Sequence, residues 1–246
     1  MSSSRHILLR PRWIVGHLLV LALAVLFIAL GFWQLDRLQE RQHANLVNEE
    51  RLSAEPRPVE QMIDATGDDI SSLELRRGEA TGRYVPEEQV LLRSQVRDGQ
   101  PGYEAITPLL LDSGKAILVN RGWVPLQMGD DDPSEFAPDD GTVTIIAPLR
   151  ASQQRGATSR DEPPGELEVV SRVDVDRIGE QIDVELLPVY LEIQGSDDGS
   201  VPVPETPPDT TNEGPHLNYA IQWFAFALIG ALGYGFLIRR ALRRAG

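Results

Sequence analysis

Residues 13–35 read WIVGHLLVLALAVLFIALGFWQL, and the stretch holds no Asp, Glu, Lys or Arg. A second uncharged run, YAIQWFAFALIGALGYGFLI, occupies 219–238. The hydrocarbon core of a bilayer takes about 20 apolar helical residues, and both runs reach that length. The rival reading is a pair of buried helices in a soluble protein, but core helices seldom run so far without a polar stripe. Trp13, Trp33, Tyr219 and Trp223 stand near the run ends, where interfacial aromatic belts form. Two membrane spans are therefore expected.

The flanks orient them. Arg5, Arg10 and Arg12 precede the first run; Arg239, Arg240, Arg243 and Arg244 follow the second. Arginine on the inner flank predicts both termini in the cytoplasm and 36–215 outside it. The first run is longer than the 7–15 apolar residues of a cleaved signal, and its exit GFWQLDRLQER has no small-x-small cleavage site. It reads as an uncleaved anchor. With twelve residues before Trp13 there is no Arg/Ser-rich transit segment, which favours a bacterial plasma membrane over an imported organelle protein.

The 246 residues carry 23 basic and 37 acidic side chains, a net charge of −14. That average conceals a segregation into +3 before residue 36, −21 over 36–215 and +4 after it. So acidic an exported segment argues against a nucleic-acid partner, which needs a basic face. There is no cysteine, which excludes disulfides, thiolate metal sites and thioether-linked haem.

Between the runs, 34–52 lacks Gly and Pro, and Leu35, Leu38, Leu46 and Leu52 recur near helical spacing, so the first helix is expected to extend beyond the membrane. Pro56 and Pro58 end it. From 73 to 194 the pattern turns to strands at 79–85, 89–94, 102–111, 115–124, 142–149, 166–170 and 189–194. The Asp112-Ser113-Gly114 turn makes a hairpin of the third and fourth. A short helix fits 174–182. The expected fold is two transmembrane α-helices flanking a mainly antiparallel β domain (α+β), folded as a sandwich or partial barrel. The division is a tail 1–12, span 13–35, outer domain 36–195, Pro-rich acidic tether 196–215, span 216–238 and tail 239–246. Segments 127–141, 155–165 and 196–214 read as loops.

Hydrolytic chemistry lacks parts. No histidine lies between His43 and His216, so no imidazole base serves a Ser-His-Asp arrangement. Carboxylate pairs are inevitable by chance among 37 acids. The acidic triplet at 130–132 matches no calcium loop and reads as a solvated acidic loop. His17 falls about 27 Å from the outer boundary by helical rise, whereas His216 sits at it, so the two cannot share a metal within one chain. His216, Tyr219 and Trp223, spaced i, i+3 and i+7, share a helical face. The plain reading of His216 is an interfacial side chain bonding headgroups or the domain above; the sharper one is a metal or haem ligand. Tyr219 and Trp223 read first as belt residues and only second as part of a cofactor box.

GFWQLDRLQER at 31–41, GEATGRYVPEEQVLLRSQVRDGQPGYEAITPLL at 78–110, ILVNRGWVP at 117–125 and PHLNYAIQWF at 215–224, in that order between two spans, resemble the Surfeit locus protein 1 family, assembly factors of cytochrome c oxidase. The resemblance implies a non-enzymatic membrane-anchored helper that assists haem a delivery or insertion into subunit I of a haem-copper oxidase. Its implied partners are that subunit, the haem a biosynthesis machinery and membrane lipid. It also implies haem a as a transient cofactor, with His216 as the residue associated with haem; Tyr219 and Trp223 join it as candidates only through their shared helical face. Arg121, in Arg121-Gly122-Trp123, matches the outer-domain signature; it reads either as a partner for a haem propionate or as an Arg–aromatic cap held by packing. The alternatives are a membrane-tethered scaffold that stabilises assembly intermediates without haem, and, further off, a carboxylate enzyme or envelope sensor.

Overall fold

The computed structural model describes residues 9–67, 69–131, 136–153, 162 and 165–245. The expected loop at 155–165 lies almost wholly outside those residues, as do 132–135 of the acidic loop and most of the N-terminal tail. The chain divides into two units, 1–47 with 210–246, and 48–209.

The first unit is a helix pair. α1 (Pro11–Ser53) runs unbroken for 43 residues, as its freedom from internal proline allows. It therefore contains both the apolar run and the expected polar extension. At the far end of the chain, α5 (His216–Ala245) opens directly after Pro215, whose carbonyl accepts the Tyr219 N–H at 3.1 Å. The pairing between the two helices is antiparallel. Phe27 stacks on Trp223 with ring centroids 5.6 Å apart, and Phe32 meets Phe224 edge-on at 5.4 Å. Beyond the apolar run, Asn45 and Arg41 both donate to the Asn212 carbonyl, and Gln42 donates to Glu213. Both helices are long and apolar enough to cross a membrane. Leu18, Leu21 and Val25 are each about 60 % exposed, so the apolar run is not buried within this chain.

The second unit is a β domain. β1 (Arg57–Pro58) leads into α2 (Val59–Thr66), followed by β2 (Arg77–Tyr84), β3 (Val90–Arg97), β4 (Gln100–Leu111) and β5 (Ala116–Pro125). Then come the short α3 (Leu126–Asp131), β6 (Thr142–Ala151), β7 (Val169–Val170), α4 (Val175–Gly179) and β8 (Leu186–Glu192). The sheet order is β1-β2-β6-β8-β5-β4-β3-β7, and a further β2–β4 pairing joins its middle strands. That pairing closes β2, β6, β8, β5 and β4 into a barrel-like ring. Gly82 permits the closure. A Cβ there would stand 2.2 Å from the Leu110 carbonyl oxygen, so any side chain would hold β2 off β4.

The expected hairpin is present as β4 and β5, and most of the expected strands fall where alternation placed them. The sheet is mainly antiparallel, but β8 lies parallel to β5 while antiparallel to β6. Both faces of the central strands are covered. Ile117, Val119, Val189 and Leu191 point into the barrel core with Leu109 and Leu149, while Leu118 and Tyr190 turn outward under Val175 and Ile178 of α4. Opposite burial at alternate residues is the strand period of two. Val59 and Met62 of α2 cap the inner core, a helix that the proline-bounded sequence concealed.

Two expected loops are more than loops. In 127–141, Met128 packs on a cluster built around a buried Phe136, and the first part is the helix α3. In the Pro-rich return segment, Val203 and Trp123 exchange backbone hydrogen bonds of 2.7 and 2.8 Å, and Glu205 bridges Gln194. That segment is a strap on the β domain before it is a tether. The buried Val203 and the spacing of its N–H groups between prolines make the contact possible.

Candidate functional site

The apolar surface of the helix pair is interrupted by two polar contacts. Near the start of α1, Tyr234 Oη and His17 Nδ1 lie 2.6 Å apart. Near the end of the run, Gln34 Oε1 and His216 Nδ1 lie 2.9 Å apart. The two contacts sit roughly 25 Å from each other along the helices, by a rise of 1.5 Å per residue. The structure thus keeps His17 and His216 at opposite ends of the pair, as helical rise required.

His216 is half-buried, and its Nδ1 is the nitrogen occupied. Among the described residues Nε2 takes no hydrogen bond. Gly214, at φ +72°, faces the same edge of the ring: a Cβ there would lie 3.4 Å from Nε2. The absence of a side chain at that position leaves the nitrogen approachable. Of its two companions, Tyr219 is 47 % exposed. Trp223 is drawn between Phe27 and Phe226, with its ring 5.6 and 5.9 Å from theirs, so part of its surface serves helix packing. The gap between the helices, lined by Val20, Leu23, Ala24 and Phe27 against Phe226 and Ala227, measures about 90 Å³. Small-molecule pockets begin near 300 Å³. A macrocycle does not fit in that gap, which lies below His216 and is not lined by it.

Arg121 belongs to the other unit. Its Nη1 donates to the Phe136 carbonyl at 2.8 Å and to Gln89 Oε1 at 3.2 Å, and its guanidinium lies 5.5 Å from the Tyr84 ring centroid. Burial lowers its pKa and pushes the Tyr84 phenol up to about 12, which the cation partly offsets. The arrangement ties β5, the β2 end and the Phe136 segment together. Next to it, Gly122 holds φ +120° and takes the Asn120 side-chain oxygen on its N–H at 3.0 Å. Asn120 in turn donates to Glu104 at 2.6 Å. Burial first, and then the neighbouring Glu205, raise the Glu104 carboxyl to about 7. The Trp123 indole N–H is buried and meets no acceptor among the described residues. Among them, too, no group of three or more His, Cys, Asp or Glu side chains is arranged to hold a metal ion.

Gln34 is the residue that reading the sequence for chemistry passed over. Its signal was present, a lone amide at the end of an otherwise apolar run beside Trp33.

The order of these elements, two apolar helices bracketing one β domain, is matched by known proteins. Residues 21–228 fit the family described as the SURF1 family. This chain belongs to the SURF1 family. An uncharacterized SURF1-like protein of Mycobacterium tuberculosis is 30 % identical over 237 residues, covering 96 % of this chain and 87 % of its own length. A SURF1-like protein of Caenorhabditis elegans is 26 % identical over 247 residues, covering 90 % of this chain and 73 % of its own. The cytochrome oxidase assembly protein SHY1 of Saccharomyces cerevisiae is 25 % identical over 144 residues, 56 % of this chain and 36 % of that protein. The SURF1 match takes in Gln34 and His216 on both helices as well as the whole β domain between them.

Proposed function

We propose that this SURF1-family chain is a membrane-anchored, non-catalytic assembly factor for a haem-copper cytochrome c oxidase, and that it assists haem a delivery or insertion into subunit I. Its seat is a bacterial plasma membrane, with both termini cytoplasmic and the β domain outside. The observation that carries the assembly reading is family membership, with a relative whose name states cytochrome oxidase assembly. The anchoring is supported by two exposed apolar helices, whose surface is costly in water and favourable in lipid.

The haem reading rests on His216. Neutral imidazole is a common iron ligand, and here one ring nitrogen is held while the other is left approachable. Haem, if bound, would supply an iron centre that this nitrogen could ligate. The rest is the chain's own work: α5 places His216 at one end of the pair, opposite Gln34 of α1. Arg121 keeps its place in this reading as a partner for a haem propionate; its Nη1 also serves Gln89 and Phe136, and its guanidinium lies over Tyr84.

A second reading is a scaffold that holds oxidase intermediates and binds no haem. One experiment separates them. The gene is deleted, the strain is complemented with wild type or His216→Ala, and reduced-haem spectra are taken of membranes and of the purified protein. Loss of the haem a band on deletion, restored by wild type but not by His216→Ala, with a coloured wild-type preparation, supports haem handling. A colourless preparation that co-purifies with oxidase subunits, and full rescue by His216→Ala, supports the scaffold. An unchanged oxidase on deletion overturns both.

A further inference from the structure

An amide inside an apolar helix is costly unless its dipole is met. Gln34 meets it across the pair, with its oxygen 2.9 Å from His216 Nδ1. An amide oxygen only accepts, so the ring nitrogen facing it must carry the proton. The neutral imidazole has one N–H, and the contact therefore leaves the lone pair on Nε2. That is the nitrogen beside Gly214, where no side chain stands in the way.

We propose that Gln34 is a positioning residue that holds His216 in its Nδ1–H tautomer and presents Nε2 as an electron-pair donor to iron. The inference rests on the reading of His216 as an iron ligand and adds to it the group that selects the ligating atom. A hydrogen bond behind a ligating imidazole fixes the ring plane and raises its basicity, and losing such a partner typically costs 10–100-fold in metal affinity. Alignment of the two side chains follows from the antiparallel register of α1 and α5. The Phe27–Trp223 stack and the His17–Tyr234 bond hold that register from below.

A structural tie and a positioning tie predict different results, and the pair supplies its own control. The full chain is purified in detergent as wild type, Gln34→Leu, Gln34→Glu, Tyr234→Phe and His216→Ala. Histidine is labelled with ¹⁵N, the His216 resonances are assigned by their absence in His216→Ala, and the tautomer is read in the haem-free protein. Each protein is then titrated with haemin, followed by the Soret band. Positioning predicts an Nδ1-protonated His216 in wild type and Gln34→Glu, loss of that preference in Gln34→Leu, and haemin binding about 10-fold or more weaker in Gln34→Leu alone among the Gln34 and Tyr234 variants. Equal tautomer and affinity in wild type and Gln34→Leu, while His216→Ala loses haemin, overturns the role of Gln34 and leaves the ligand reading standing. Equal loss in Gln34→Leu and Tyr234→Phe reduces the contact to helix packing and overturns the proposal. Unchanged haemin binding by His216→Ala overturns the ligand reading, and the positioning role falls with it.

Discussion

Tyr234 and His17, 217 residues apart in the chain, meet at 2.6 Å across two helices whose other polar contact among the described residues is the Gln34–His216 pair near the far end. A hydrogen bond between helices in an apolar medium is worth about 0.6 kcal/mol on average and rarely above 1.7. Tyr234→Phe keeps the ring and its edge-on contact with His17, so only that bond is lost. Reversible unfolding in mixed micelles should show a loss of roughly 1 kcal/mol. A loss several times larger would mean that the hydroxyl has a second partner.

The register of the pair can be tested without disturbing either polar contact. Because the chain has no cysteine, paired cysteine variants react only where placed. Phe27→Cys with Trp223→Cys should be joined within one molecule by a short bis-maleimide, since the native rings stack at 5.6 Å. Val15→Cys with Trp223→Cys should not, being displaced by roughly 18 Å along the axis. Cross-linking of the second pair but not the first would refute the antiparallel register.

Glu104 predicts a pH dependence. Its carboxyl is raised to about 7 by burial and by Glu205, with Glu192 adding to the effect and Asn120 and Arg150 opposing it. A carboxyl that holds its proton more tightly folded than unfolded contributes fully at low pH and loses that contribution as pH rises. The unfolded group titrates near 4.3, so stability should fall from about there to about 7 and then level off. Glu104→Gln should flatten this slope and melt higher than wild type at pH 8, by on the order of 2 kcal/mol. Thermal unfolding of the full chain in detergent between pH 4.5 and 8 checks it; parallel slopes in the two proteins would assign the effect elsewhere.

Gly122 predicts how the strap is held. At φ +120° any other residue is strained, and a Cβ would stand 2.1 Å from the Val203 oxygen, inside the strap itself. Gly122→Ala should cost more than about 1 kcal/mol and loosen the strap selectively. Hydrogen exchange should accelerate at the Trp123 and Val203 amides while those of the β4–β5 hairpin, such as Ile106 and Asn120, stay protected. Uniform acceleration across the domain would point to global destabilisation instead.

Much of this architecture is legible in the amino-acid order because it rests on local periodicity. The uncharged runs at 13–35 and 219–238 are helices in the structure, and alternation placed β2, β4, β5 and β6 to within a few residues. What stayed hidden depends on residues that meet only through the fold. α2 was masked by the prolines before it, although Val59 and Met62 are spaced to present one face to the barrel. The strap read as a tether because its two bridges use backbone groups of a segment otherwise rich in proline, and backbone pairing leaves no side-chain pattern. Likewise the parallel contact of β5 with β8 is set by where the chain returns after α4, and alternation is silent on strand order.

The site divides the same way. His216 stands out in the chain because histidine is scarce and this one opens an apolar run; elimination and helical rise suffice to separate it from His17. Gln34 does not stand out, since one amide in a long sequence carries no chemistry alone. Composition and period determine which segments leave water and which face each presents, because those are properties of neighbours along the chain. The ring nitrogen of His216 that is left approachable is decided only by the antiparallel packing of α1 on α5, because a hydrogen bond acts over about 3 Å and Gln34 lies 182 residues away in sequence.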